Sequence, residues 1–335
     1  MQPPCKPHCP HNNRRAIFHD YQAPCNYMIT ISKAKECPPF SCLVGNPKAL
    51  DEDPPRTVLS CVGRIIDEQI RSINAMPQFA VCNYVVMPDH VHILWHVACR
   101  LLKDVGFYVG LFKARCSKIW REQQGMPIGS GEPVFAPKYN DRIAYTEDLF
   151  HRFHRYIADN PRRRLMVMRY PELFDRRQSV RINGREMDVY GNFQLLRHPV
   201  ISAVVVSSRY TEEERRAHEN EWDETIRAGG VLVSPFISKA EKKVMLRGME
   251  EGASIIRIIP EGIEQKYKPS GREFDLCAEG RCLHIGALRS SAHKADLHRA
   301  VCMELNDMAR WLAANADSGM VLVSKNNYCC PIKLF

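Results

Sequence analysis

The chain has no apolar run near the roughly 20 residues a membrane-spanning helix needs. Its opening, Met1-Gln2-Pro3-Pro4-Cys5-Lys6-Pro7-His8, has no apolar signal-peptide core. The expectation is a cytoplasmic protein without a membrane partner. There is no G-x-G-x-x-G and no phosphate-loop motif, which argues against a tight dinucleotide or triphosphate site. No internal repeat is present. Cysteine is plentiful, at 14 residues, but scattered. Cys82, Cys116, Cys277 and Cys302 fall within apolar patterns and read as small core residues with free thiols. Cys5, His8, Cys9 and His11 lie closer together, in a Pro-rich segment without zinc-finger spacing. They read as part of a disordered tail over residues 1–12, or as a structural zinc site.

What the chain does have is length, charge and pattern. Its 335 residues predict two domains. The net charge of +9 is unevenly placed: residues 1–180 carry 25 Lys/Arg against 17 Asp/Glu, a net of +8. A basic half-protein points to a polyanion, most often nucleic acid, although solvated basic faces are common.

Alternation predicts a strand over 26–32, and Pro and Gly predict a loop over 37–55. A helix is expected from Thr57 to Asn74, with Val58, Val62, Ile65, Ile66 and Ile70 on one face. Phe79–Val86 and His90–Val97 read as a hairpin closed at Met-Pro-Asp. A basic amphipathic helix spans Leu101 to Gln124, Val134 to Ala144 is extended, and a helix from Thr146 should stop before Pro161. Beyond a polar boundary near 175–195, strands are expected at 200–207, 231–236, 254–259, 281–285 and 319–324. Helices fall at 212–228, 239–251 and 293–315, with a long loop after residue 259. That alternation predicts a parallel α/β sheet.

The most informative stretch is Met87-Pro88-Asp89-His90-Val91-His92. Residues two apart on a strand share a face, so His90 and His92 project together, about 6–7 Å apart along the strand. Two imidazoles aimed at one point can hold a divalent metal. The alternative is a pair of hydrogen-bonded core histidines. Downstream, Tyr156 and Asn160 lie one helical turn apart on one face. A tyrosine hydroxyl, with a pKa near 10, is a poor nucleophile at neutral pH unless a metal polarises its phosphate target. The Asn160 carbonyl could complete coordination begun by the histidines. Tyr156 taken alone reads equally as a packed helix tyrosine.

Met-Pro-Asp-His-Val-His followed by Tyr-Ile-Ala-Asp-Asn-Pro resembles the single-tyrosine HUH transposases of the insertion-sequence 200/605 class, most closely their REP-associated tyrosine transposase branch. Arg14-Arg15 with Asp20-Tyr21, and Tyr139-Asn140-Asp141-Arg142, add to the likeness, which covers roughly residues 13–175. It implies a small antiparallel sheet with flanking helices, like the RNA-recognition fold, over a catalytic domain at 13–180. His90, His92 and Asn160 would hold Mg²⁺ or Mn²⁺. Tyr156 would attack single-stranded or hairpin DNA, leaving a 5′-phosphotyrosine and a free 3′-OH. Arg14, Arg15, Lys113, Arg115, Lys118, Arg142, Arg162, Arg163 and Arg164 become candidate DNA contacts. His96 shares the histidine face and is expected to be structural. A non-cleaving, domesticated hairpin binder is the alternative. Relatives of this class are often dimers, while the REP-associated branch can act alone, so a homodimer stays open.

After a linker at 181–194, Val204-Val205-Val206-Ser207-Ser208-Arg209 and Gly230-Val231-Leu232-Val233-Ser234-Pro235-Phe236 resemble the Rossmann-like domain of the DNA-processing protein A (Smf) group. Such a domain over 195–335 would bind ligands at the carboxyl ends of its strands. Ser207, Ser208, Arg209 and Ser234 are the candidates there.

Overall fold

A computed structural model describes residues 16, 18–127, 131–265, 267–286 and 299–315. The chain divides into two units between Met166 and Val167. Arg14, Arg15, the tail at 1–12 with its Cys and His residues, the start of the last helix and the strand expected at 319–324 lie outside the described residues.

The first unit is built on an antiparallel sheet of order β4-β5-β1-β6, with β1 at Cys25–Ser32, β4 at Phe79–Val86, β5 at His90–Val97 and β6 at Asn140–Ala144. One face of β5 carries Val91, Ile93, Trp95 and Val97. With Tyr27, Ile29 and Ile31 of β1 they form the main core. Helix α1 (Cys61–Ile73) closes it with Val62, Ile66 and Ile70, and α2 (Val105–Gln123) with Val109, Phe112 and Cys116. The opposite face carries His90, His92, Leu94 and His96. There Met28 and Leu94 pack under Phe150, Phe153 and Ile157 of α3 (Glu147–Arg169). Alternation along β5 thus sends apolar side chains to one helix pair and the histidines toward the other helix.

Three local expectations fail in this unit. Residues 57–59 are not helical: β3 (Arg56–Leu59) pairs with β2 (Ser41–Val44), inside the expected loop. Val58 is on that hairpin, and α1 starts only after Ser60, whose hydroxyl accepts from Gly63 N. Helix α3 does not stop at Pro161 but runs to Arg169. Proline removes one helical hydrogen bond at a cost of about 3 kcal/mol. Burial of Pro161, Leu165 and Met166, and a two-pronged ion pair from Arg162 back to Asp159 across the proline, offset it.

The second unit has a six-stranded mixed sheet of order β7-β8-β12-β11-β10-β9. Strands β9 (Ile201–Ala203), β10 (Val231–Ser234), β11 (Ser254–Ile259) and β12 (Cys282–Gly286) are parallel, as expected. The expected linker is not one: 181–194 belongs largely to β7 (Arg176–Ile182) and β8 (Arg185–Gly191), which add antiparallel strands to β12. Val180, Ile182, Met187 and Val189 alternate into the core. The turn is Asn183-Gly184, both residues at positive φ, a hairpin signal present in the sequence. Because the parallel strands lie in chain order, right-handed crossovers place α4 (Glu212–Arg227), α5 (Lys239–Glu250) and α6 (Arg272–Ala278) on one face. Helix α6 lies within the expected long loop. Helix α7 (Arg299–Ala314) covers the other face through Leu305, Met308 and Leu312.

Candidate active site

His90 and His92 open β5, directly after the Met87-Pro88-Asp89 turn, which closes with Met87 N donating to His90 O at 2.9 Å. Their Nε2 atoms lie 3.1 Å apart and their ring centroids 4.5 Å. Each ring is held from behind. His90 Nδ1 is 2.7 Å from the Asp89 carboxylate, and His92 Nδ1 is 2.8 Å from Thr30 Oγ1 on β1, its register partner. A carboxylate only accepts, so His90 carries a proton on Nδ1 and turns its Nε2 outward. The His90 hydrogen bond holds the Asp89 carboxyl down at about 2. Burial, then the nearby His90 and Arg142 charges, lower His92 to about 3, so its ring is neutral in the fold.

Helix α3 lies across this face. Its Tyr156 ring sits 5.4 Å from that of His92, edge to face, and is 40 % exposed. Asn83 of β4 donates to the His154 carbonyl at 3.0 Å and ties helix to sheet. Asn160 is buried, and its Nδ2 donates to the Tyr156 carbonyl at 2.7 Å. That commits the amide nitrogen, so Oδ1 is the amide atom through which Asn160 would ligate. Among the described residues no three His, Cys, Asp or Glu side chains converge, so a metal here would need the Asn160 amide as third donor. The donors fit one: two cis ligands about 2.1 Å from an octahedral ion stand about 3.0 Å apart, close to the observed 3.1 Å.

The other expected residues separate into two groups. Arg142 on β6 shares the face of His92 by register and acts on its charge. Arg164 reaches Asp89 at 3.7 Å. Arg163 also falls on the Tyr156 side of α3, seven residues on. Arg162 instead pairs with Asp159. Lys113, Arg115 and Lys118 do not gather here, because α2 packs on the opposite sheet face. Lys113 Nζ donates to the Ala136 and Pro137 carbonyls, at 2.5 and 2.8 Å, and burial lowers its pKa. Lys118 lies 3.8 Å from Glu122, and Arg115 lines a cavity between α1 and α2. His96 is held by Asn26 at 2.8 Å. Sequence reasoning assigned no role to Thr30 or Asp89. Asp89 had a signal, its place beside His90; Thr30 becomes visible only through the β1–β5 register.

At the carboxyl ends of β9 and β10, Ser207 and Ser234 are engaged in local hydrogen bonds, while Ser208 and Arg209 are exposed. Ser234 is fully buried and accepts from Phe236 N, while Ser207 accepts from Arg209 N in a local turn. The backbone amides of Val206, Ile237 and Ser238 all point at the buried Glu241 carboxylate, at 3.4, 3.0 and 2.9 Å. The chain's own anion occupies the place a phosphate would take. The order of the four parallel strands also never reverses, so they lack the switch point at which such sheets bind ligands.

No family model matches the chain, and no curated protein matches it. Among solved structures, it is similar to a REP-associated tyrosine transposase bound to a REP hairpin, with 13% identity over 43% of this chain and 70% of that one, at a TM-score of 0.28. It is also similar to a protein described as a transposase from Deinococcus radiodurans R1, with 15% identity over 42% of this chain and 94% of that one, at a TM-score of 0.26. No described helix is long and apolar enough to cross a membrane.

Proposed function

We propose that the first unit nicks and joins single-stranded DNA through a tyrosyl phosphodiester. The observation that carries this is the convergence of His90 and His92 Nε2, 3.1 Å apart, beside the half-exposed Tyr156. His90, His92 and Asn160 would hold a divalent cation, Mg²⁺ or Mn²⁺, which when bound supplies Lewis-acid polarisation of the scissile phosphate. Asp89 and Thr30 hold the two rings with both Nε2 atoms turned to one point. The Tyr156 hydroxyl attacks phosphorus and gives its proton to solvent. The Tyr156 Oη–P bond forms, the P–O3′ bond breaks, and the 3′ oxygen leaves as a hydroxyl once protonated. Attack by a 3′-OH on the tyrosyl ester reverses the step and joins strands. Arg142 and Arg164 flank the pair and would take neighbouring backbone phosphates.

The test is incubation of the full chain with a hairpin-bearing single strand and Mg²⁺ or Mn²⁺, read on a denaturing gel. A metal-dependent covalent adduct is expected with wild type and none with Tyr156→Phe. An adduct that persists in Tyr156→Phe, or none with wild type, overturns the reading. Retained hairpin affinity in that last case would make the protein a non-cleaving binder.

A further inference from the structure

Helix α2 buries one side against the sheet and turns the other outward. On the outward side Phe107 and Leu111, one turn apart, are 48 % and 53 % exposed. Single exposed apolar residues are ordinary, but these two do not stand alone. Beside them, between α1 and α2, lies a cavity of about 140 Å³ whose walls include Ile73, Met76, Phe79, Tyr108, Leu111 and Arg115. A space of about 150 Å³ takes a single benzene-sized ring. Phe107 is not one of the walls and does not fill the space. Its ring meets that of Tyr108 edge to face at 5.5 Å.

Spacings of three and four extend the same line along α2, from the N-cap Asp104 through Phe107, Leu111, Arg115 and Lys118 to Glu122. This face is apolar at its middle, and its acids and bases cancel, so it does not suit a polyanion. It does suit a second copy of itself. When two helices cross antiparallel about a two-fold axis at Leu111, residues equally far from 111 on opposite sides meet. Phe107 of one copy then faces Arg115 of the other, and Asp104 faces Lys118. We propose that the chain pairs with itself through this face of α2, each copy setting its Phe107 ring into the α1–α2 cavity of the other, under Arg115. A guanidinium over an aromatic face is favourable, and the charged residues further out meet with opposite sign. The face lies across the sheet from Tyr156, and the pairing does not depend on the reading of that centre.

A single helix crossing sits at the low end of specific interfaces, which bury under about 1,200 Å², so association in the micromolar range is expected. The measurement is sedimentation equilibrium of the full chain, free of nucleic acid, over that range. Wild type should pass from monomer to dimer as concentration rises. Phe107→Ala and Leu111→Glu, both at exposed positions, should each weaken association by about tenfold or more. Lys118→Glu should weaken it by about threefold, an effect that fades at high salt. Leu246→Ser, at an exposed apolar position on α5, should leave it unchanged. A chain that stays monomeric, with α2 left to a nucleic acid or to another protein, overturns the proposal. So does a dimer that Phe107→Ala and Leu111→Glu leave intact, or one that Leu246→Ser weakens as much as they do.

Discussion

At His90 and His92 the atoms that matter most are behind the rings. Asp89 and Thr30 each hold a Nδ1 atom, at 2.7 and 2.8 Å, and so orient the two Nε2 atoms. Partners of this kind typically change metal affinity about 10–100-fold when removed. Asp89→Ala and Thr30→Val should therefore weaken Mn²⁺ binding by about that factor, read by titration of the free ion's electron spin resonance signal. Unchanged affinity in both would mean that the pair is not a metal site. A different imidazole carries a pH effect. His284 on β12 is fully buried, between Tyr267 Oη at 2.9 Å and Cys282 Sγ at 3.3 Å, with Glu273 at 3.8 Å; Arg257 and Cys277 also face this cluster. Burial first, then the Arg257 charge, lowers it to about 3, from 6.5 in the unfolded chain. Between those values the unfolded state binds the extra proton. The stability that neutral His284 allows is present above pH 6.5 and is lost as pH falls toward 3, at up to about 1.4 kcal/mol per pH unit. Unfolding midpoints from pH 8 to 4 should fall less steeply, by close to one proton, in His284→Gln. Parallel curves would place the titration elsewhere.

At the scale of elements, the start of α1 separates propensity from packing. Gly63 lies in the first turn, and a Cβ there would stand 1.9 Å from the Phe40 carbonyl oxygen. Propensity alone says Gly63→Ala should stabilise the helix by about 1 kcal/mol. Contact with main chain reverses the sign, and a loss of about 2 kcal/mol is expected in urea unfolding. A gain would show that β2 can move away. The same contrast between local pattern and tertiary contact sets what could be read in advance. Strands β1, β4 and β5 were legible because one buried face forces alternation, and the hairpin put His90 and His92 side by side before any contact was known. The Tyr156–Asn160 face followed from the 3.6-residue period. Residues 57–59 were not legible, because an apolar β-branched stretch suits a hairpin or a helix and only pairing with 41–44 decides. Pro161 misled for the opposite reason: its local cost is real, but burial of Leu165 and Met166 beyond it carries the helix on. The β7–β8 hairpin was hidden by its arginines, although Asn183-Gly184 marks the turn.

Across the whole molecule, the +8 in residues 1–180 says only that a polyanion is favoured. The fold determines which cations share the histidine face. Arg142 and Arg164 sit around His92 and Asp89, whereas Lys118 and the carbonyl-bound Lys113 belong to α2, across the sheet. Single-strand affinity falls with salt with a log–log slope of about −0.7 per neutralised phosphate. Arg142→Ala and Arg164→Ala should each make that slope shallower by about 0.7, while Lys118→Ala leaves it unchanged. The measurement is fluorescence anisotropy of a labelled single strand against full-length protein in Mg²⁺-free buffer, so that cleavage does not intrude. Equal slopes in wild type, Arg142→Ala and Arg164→Ala, with a shallower one in Lys118→Ala, would place the strand along α2. The charge would then act on the far side of the sheet from Tyr156, and the basic half of the chain and its histidine centre would have to be explained separately.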